Sequence, residues 1–160
     1  MVYWWIAAAV VTAFGMGALV GAPWLPTFRR ETETALDLLD LGPGQTVIDL
    51  GSGTGTFLLV AARRGIYGVG YEVNPFLYLW SLARTWPQRR YIRLYWRNYW
   101  RVELPPADGV YAFLIKRFMG KLDAKLGREL PPGTPVATYT FQIPGRRPEN
   151  QRGGVFLYRY

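Results

Sequence analysis

The sequence predicts an α/β fold: a Rossmann-like, mostly parallel sheet of about six strands with helices on both faces, preceded by one N-terminal transmembrane helix. Three observations predict it. Apolar β-branched runs alternate with helical patterns, a glycine-rich turn follows the first run, and the opening 28 residues carry no charge. Alternating strands and helices are typical of a parallel sheet covered on both faces. We therefore divide the chain into an anchor, residues 1–28, and a basic α/β domain, residues 29–160.

The opening segment, residues 2–22, is apolar or small apart from Thr12. About 20 such residues span a hydrocarbon core of roughly 30 Å. Tryptophans stand at both ends, and Arg29-Arg30 follow, so the positive-inside tendency places the domain on the cytoplasmic side of a single-pass anchor. A cleaved signal peptide and a buried core helix are the alternatives. The glycines at 17 and 21 are either a helix–helix contact or ordinary small residues of a membrane helix.

The first half of the domain alternates clearly between helix and strand. Apolar residues at helical spacing predict a helix over 31–41, which a Gly-Pro-Gly sequence ends. Short β-branched runs predict strands over 46–50 and 66–71, with a helix over 57–64 between them. Asn74-Pro75 predicts the next helix start, because Asn caps free N–H groups and Pro suits the first turn. That helix extends to about Trp86, before Pro87.

The second half continues the alternation with fewer helices. Apolar runs predict strands over 91–96, 109–115 and 136–141. Phe118, Leu122, Leu126 and Leu130 recur every four residues, which predicts one helix face between the last two of these strands. A terminal strand over 155–160 follows a polar loop, 144–154, that is too short for a crossover helix. We therefore expect the last two strands to pair antiparallel.

Composition restricts the chemistry. The chain has 19 Lys plus Arg against 11 Asp plus Glu, a net charge of +8, and neither His nor Cys. Disulfides, the usual zinc sites and Ser-His or Cys-His catalysis are therefore excluded, and no metal cluster is visible. A general base must be Asp, Glu, Tyr or Lys. Asp108 and Tyr111, near the expected rim of the site, are the candidates; a turn acid and a core aromatic are the alternative interpretation.

A glycine-rich turn joins the first strand to its helix. It reads Asp49-Leu-Gly51-Ser52-Gly53-Thr-Gly55. Glycines at this point let the backbone approach a ligand closely, and the crevice at the strand ends is the expected ligand site of an open α/β sheet. Glu72 closes the next strand and is well placed to accept hydrogen bonds from both hydroxyls of a ribose.

The glycine spacing indicates which nucleotide this turn binds. A dinucleotide fingerprint places its third glycine at position 56, where this chain has Thr56. Asp49 would repel a pyrophosphate but suits the cationic amino group of a methionine moiety. S-adenosylmethionine therefore fits both acids better than a dinucleotide does, and a purely structural glycine turn is the remaining alternative.

At this point the motifs resemble those of a known family. The segment 47–55 resembles motif I of class I (seven-β-strand) S-adenosylmethionine-dependent methyltransferases. More specifically, the chain is similar to the membrane-anchored lysine N-methyltransferases of the ADP/ATP translocase and of the ATP synthase c-subunit. The resemblance extends over most of the chain, and its matching segments are 23–26, 68–75, 98–100, 121–130 and 141–144.

The resemblance implies roles for individual positions in a methyltransferase domain, residues 29–160. The methionine end of the cofactor would be held by Asp49, Gly51, Ser52, Gly53 and Gly55. Glu72 would bind the ribose. Asn98, where the family usually has Asp, would accept from the adenine amino group through its carbonyl. In a eukaryote, the implied location is the mitochondrial inner membrane.

A basic and aromatic stretch, residues 84–101, contains six arginines among six Trp and Tyr residues. This pattern favours contact with an anionic membrane leaflet, with an ordinary solvated face or RNA as the alternatives. The leading hypothesis is an anchored S-adenosylmethionine-dependent methyltransferase acting on a lysine of an integral membrane protein. The alternatives are methylation of a lipid head group or small amine, a non-catalytic S-adenosylmethionine-binding module, and RNA methylation.

Overall fold

The computed structural model describes residues 29–160, in which four α-helices and seven β-strands are present. The helices are α1 (Arg29–Leu39), α2 (Thr56–Arg63), α3 (Pro75–Thr85) and α4 (Met119–Glu129). The strands are β1 (Thr46–Leu50), β2 (Tyr67–Glu72), β3 (Ile92–Trp96), β4 (Gly109–Ala112), β5 (Pro135–Tyr139), β6 (Asn150–Arg152) and β7 (Val155–Arg159). Short 3₁₀ turns occupy Trp86–Gln88, Tyr99–Arg101 and Lys116–Phe118.

All seven strands form one sheet in the order β3-β2-β1-β4-β5-β7-β6. Strands β1 to β5 run parallel, and β7 pairs antiparallel with both β5 and β6. The predicted α/β class and the antiparallel terminal strand are confirmed. Two neighbours flank β1, namely β2 on one side and β4 on the other, so the chain reverses its direction of winding there. Ligands of open α/β sheets bind at the carboxyl ends of strands at such a point.

Helices cover both faces of the sheet, as predicted. On one face, α1 and α2 enclose an apolar cluster with Val47, Tyr111 and Leu157. On the other face, α4 encloses a second cluster with Ile48, Val110 and Phe156. The alternation of neighbouring residues between the two clusters follows from the two-residue period of a strand. Helix α3 lies next to β2 and β3.

The strand count differs from the prediction of about six. The additional strand, β6, lies in the segment 144–154 that the sequence predicts as a loop, and all three of its residues are exposed. It forms because the Gly153-Gly154 turn, with φ of +55° and +79°, folds the chain back onto β7. Two glycines with positive φ are what a two-residue hairpin turn requires.

The predicted anchor, residues 1–28, lies outside the described residues. Between residues 29 and 160, no helix is long and apolar enough to cross a membrane.

Candidate functional site

The glycine-rich turn begins where β1 ends and is tied back to the end of β2. The backbone N–H groups of Gly51 and Ser52 both donate to the carbonyl of Tyr71, at 3.0 and 2.9 Å. Gly51, Gly53 and Gly55 have φ of +93°, +52° and +75°, a conformation that L side chains rarely adopt. The predicted motif therefore forms a tight turn at the carboxyl edge of the sheet, directly beside β2.

Gly55 also allows the turn to pack against α3. A Cβ atom at this position would overlap the hydroxyl of Ser81 and come within 3.0 Å of the Thr85 methyl group. Both contacted residues are buried on α3. The absence of a side chain at Gly55 thus brings the N-terminus of α2 and the inner face of α3 together at the site.

Asp49 is buried in β1, two residues before Gly51. Burial, and to a lesser degree the negative charge of Glu72, raise its pKa to about 8. Within residues 29–160, no Lys or Arg forms an ion pair with this carboxylate. A buried acid without a cationic partner has a strong electrostatic preference for a cationic ligand.

Glu72 is the last residue of β2 and is also buried. Its Oε2 atom accepts from the Gly53 N–H at 2.8 Å, and its Oε1 atom accepts from the N–H groups of Val73 and Asn74 at 2.8 and 2.7 Å. Burial raises the pKa of Glu72, although these three hydrogen bonds act in the opposite direction. The three backbone hydrogen bonds fix the orientation of the Glu72 carboxylate beside the glycine-rich turn.

The three backbone bonds limit what Glu72 can still accept. A carboxylate has about four lone-pair positions, so one position remains open, on Oε2. One ribose hydroxyl can be bound there without any change. Accepting both hydroxyls, as the sequence predicts, requires the Gly53 N–H to give up its bond.

Asn98 follows β3 at the same edge of the sheet, since β2 and β3 are parallel. Its Oδ1 atom accepts from the N–H of Trp100 at 3.0 Å and thereby caps the 3₁₀ turn that starts at Tyr99. An amide oxygen has two lone pairs, so one remains for another donor. The structure thus brings Asn98 to the correct edge, and its contact with an adenine amino group stays a prediction.

The two candidate bases do not lie at the site. Asp108 precedes β4, and its Oδ2 atom accepts from the Thr46 N–H at 2.7 Å. It therefore joins the amino ends of β4 and β1, at the edge opposite the glycine-rich turn, and the predicted position near the rim is wrong. Tyr111 pairs with Asp49 in register, but its ring stacks on Phe57 at 4.1 Å in the core. Both residues have the structural roles of the alternative interpretation.

Tyr99 is a residue of the site to which the sequence analysis assigns no role. It is buried, and its pKa is raised by burial first and by the negative charge of Glu72 second. Its phenol therefore stays neutral at physiological pH. Its place directly after Asn98, at the carboxyl end of β3, is the sequence feature that indicates it.

A separate cleft of about 690 Å³ lies on the sheet surface over β2 and β3, lined among others by Val69, Tyr95 and Arg97. None of the predicted cofactor residues line it. The chemistry of the turn is instead that of a site for a cation next to a sugar. Asp49 and Glu72 supply the negative charge and the acceptor oxygen. S-adenosylmethionine carries both a cationic amino group and a ribose, and therefore fits these two acidic side chains.

Comparison with known proteins agrees with this geometry. The family model of the ANTKMT methyltransferase domain matches residues 49–150. The ATP synthase c-subunit lysine N-methyltransferase of Homo sapiens is 32% identical over 149 residues, which cover 91% of this chain and 64% of the human protein. A protein-lysine N-methyltransferase of Saccharolobus islandicus is 28% identical over 148 residues, covering 85% of this chain and 92% of the archaeal one.

A solved structure is similar in fold as well. The RNA methyltransferase from Salinibacter ruber, crystallised with S-adenosyl-L-homocysteine, superposes with a TM-score of 0.78 at 26% identity. The superposition covers 85% of this chain and 92% of that one. Because the family model spans more than half of the sequence and includes the glycine-rich turn and Glu72, the chain belongs to the ANTKMT methyltransferase domain family of class I S-adenosylmethionine-dependent methyltransferases.

Proposed function

We propose that this protein is a protein-lysine N-methyltransferase that uses S-adenosylmethionine and modifies a lysine of an integral membrane protein. The similarity to the human enzyme, which is named for the c-subunit of ATP synthase, carries the proposal. The adenine nucleotide translocase lysine N-methyltransferase of Mus musculus, 32% identical over 129 residues, supports it further. The matched region spans 64% of the human relative's length.

The positions of two acidic side chains and of the glycine-rich turn support cofactor binding. S-adenosylmethionine, when bound, supplies a methyl group already activated on a sulfonium, so the protein's task is mainly alignment of the two reactants. Asp49 binds the cationic amino group, and Glu72 orients the ribose through its open lone pair. The glycines of the turn allow close approach to the backbone. We assign no general base.

The acceptor must lose a proton before it reacts. The pKa of a lysine side chain is ordinarily near 10.4, and a site with little water lowers it because the cation is poorly solvated there. Closure by the substrate protein would supply this desolvation. The absence of His in the chain is compatible with such a mechanism, since positioning and desolvation need no imidazole.

We propose that residues 2–22 anchor the domain in a membrane, with the domain on the cytoplasmic side, or at the mitochondrial inner membrane in a eukaryote. The support is the uncharged apolar sequence followed by Arg29-Arg30. An anchor of this kind would confine the enzyme to the surface on which its proposed substrate lies.

A labelled-methyl assay tests the function. The full chain is incubated with methyl-labelled S-adenosylmethionine and membranes from its source, and protein, lipid and RNA are then separated. Label recovered as Nε-methyllysine in an integral membrane protein supports the proposal. The Glu72→Gln variant should lose this activity, whereas Glu149→Gln, an equivalent change at an exposed acid next to the opposite edge strand β6, should keep it. Label found only in lipid or small amines, or cofactor binding without transfer, would contradict it.

RNA methylation is the second candidate, because the Salinibacter ruber structure is that of an RNA methyltransferase. The basic stretch 84–101 is also compatible with phosphate contacts. The same assay separates the two functions, since label would then appear in RNA. In a separate binding experiment, the affinity for RNA would fall steeply as the salt concentration rises.

A further inference from the structure

Helix α3 has most of its large apolar side chains on the outside. The side chains that it buries are Leu77, Ser81 and Thr85, two of which are polar. Its opposite face carries large apolar residues at helical spacing, with exposed fractions of 52% for Phe76, 60% for Leu79, 61% for Trp80 and, just beyond the helix, 57% for Trp86. A surface helix of a soluble protein normally shows the reverse arrangement.

Trp96, at the end of the edge strand β3, extends this surface. It is 60% exposed, and its indole N–H donates to the carbonyl of Val73 at 3.1 Å. Its ring also stacks near Tyr78 of α3, with the centroids 6.4 Å apart. These contacts hold the indole beside the start of the helix. We call Phe76, Leu79, Trp80, Trp86 and Trp96 the α3 apolar face.

The segment of sequence that forms this face carries charged side chains of positive sign only. Residues 73–102 contain six arginines and no Asp or Glu. The guanidinium of Arg89 lies over the ring of Trp86, 5.0 Å from its centroid, and Arg84 and Arg90 are exposed nearby. Tryptophans with arginines at their border are typical of surfaces that lie in the interface of an anionic bilayer, where each basic residue adds to the attraction.

The other occupants of such a face fit less well. A second copy of the chain would place arginines against arginines, which is unfavourable. The chain's own uncharged N-terminal segment, residues 1–28, would leave the arginines without a counter-charge. RNA would match the charge and the indoles, but Leu79 offers no ring for a base to stack on.

The face also adjoins the cofactor site. Arg84 donates from Nη1 to the carbonyl of Thr54, at 2.8 Å, and Thr54 lies in the glycine-rich turn. Phe76 follows the cap residue Asn74, whose N–H donates to Glu72. A bilayer in contact with α3 would therefore lie against the rim of the site.

From these observations we infer that the α3 apolar face docks the domain onto an anionic lipid bilayer, with the indoles and Leu79 in the interface and the arginines among the head groups. This surface is independent of the N-terminal segment and of the reaction. Docking would turn the site towards a membrane-embedded substrate, and the surface would bind lipid even in a variant without activity.

The absence of cysteine makes a local test possible. The full chain is labelled with an environment-sensitive fluorophore at Leu79→Cys, or, as a control, at Gln151→Cys on the exposed strand β6. Vesicles contain phosphatidylcholine alone or with phosphatidylglycerol. With anionic vesicles, we expect the label at 79 to enter an apolar environment and to be quenched by lipid-borne quenchers. With neutral vesicles it should stay in water, and the label at 151 should stay in water with both. Anchoring by residues 1–28 alone would leave both labels in water.

A second variant tests the role of charge. In the labelled Leu79→Cys protein, Arg89→Gln with Arg90→Gln should lower the docking equilibrium constant by about 30-fold, since two basic residues are removed from an anionic surface. A water-exposed label at 79 in anionic vesicles, equal docking to neutral vesicles, or burial of the label before vesicles are added would overturn the inference. So would a response to RNA in place of vesicles.

Discussion

Binding of S-adenosylhomocysteine should release a proton from Asp49. The pKa of this carboxyl is raised to about 8, because it is buried and faces Glu72. At pH 7 a group with a pKa of about 8 is about 0.9 protonated, and at pH 9 about 0.1. The cationic amino group of the ligand stabilises the carboxylate and lowers this pKa. The complex therefore forms with release of about 0.9 proton at pH 7, and of about 0.1 at pH 9.

Calorimetry in buffers of different ionisation enthalpy measures this release directly. The dependence of the observed binding enthalpy on the buffer gives the number of protons exchanged per ligand. Asp49→Asn is the matched control, because it keeps the shape of the side chain but has no proton to release. Subtracting the value for this variant removes the contributions of Glu72 and of the ligand itself.

The affinity for the ligand should depend on pH through the same proton on Asp49. Below pH 7 the dissociation constant is expected to fall by nearly tenfold for each unit by which the pH rises, and by about fivefold between pH 7 and 8, since binding must first remove the proton from Asp49. Wild-type binding at pH 7 with no more proton release than the Asp49→Asn variant would refute this reasoning. Asp49 would then keep the same protonation state in the free protein and in the complex, and proton release from a buried acid could not accompany ligand binding.

Three further changes test the folded structure at the site and in α4. Asp49→Asn should raise the thermal midpoint of the free protein at pH 8 but not at pH 4, because a raised carboxyl pKa costs stability as pH rises from 3.8 towards 8. Gly55→Ala should lower the unfolding free energy by about 2–4 kcal/mol, because it strains the backbone and clashes with α3. The control is Gly44→Ala, which should cost only about 1 kcal/mol, because Gly44 has a similar φ of +87° but open space around its Cβ position. Lys125→Met should lower the free energy of unfolding, measured with urea, by about 3–5 kcal/mol, because it leaves the Glu129 carboxylate, 2.8 Å from the lysine Nζ, without its cationic partner. A loss as small as that of a surface ion pair would contradict this prediction.

Local chemistry is sufficient to predict most elements of the domain. The start of α3 is an example, since Asn74 accepts from the N–H groups of Phe76 and Leu77 and Pro75 occupies the first helical position, as its sequence predicts. The turn after β1 and the acid that ends β2 are confirmed in the same way. The sequence signal for each of these features lies within a few residues, so a single sequence contains the information.

Features that depend on the direction or pairing of strands are harder to predict. Asp108 is close in sequence to β4, but it lies at the amino end of a parallel strand, on the side away from the ligand. The three N–H groups that fix Glu72 come partly from Gly53, 19 residues earlier. Strand β6 has no apolar alternation, and only the Gly153-Gly154 pair indicates the hairpin that creates it.

The inverted polarity of α3 connects the fold, the site and the proposed docking surface. A periodic pattern predicts a helix but does not tell which face is buried. The glycine-rich turn decides this here, because Gly55 approaches α3 so closely that small side chains, Ser81 and Thr85, must lie on the inner face. The large side chains of the helix are thereby turned outward, next to the cofactor turn. Forming the core therefore does not explain the apolar character of Leu79 and Trp80, whereas the proposed docking onto a lipid bilayer would explain it.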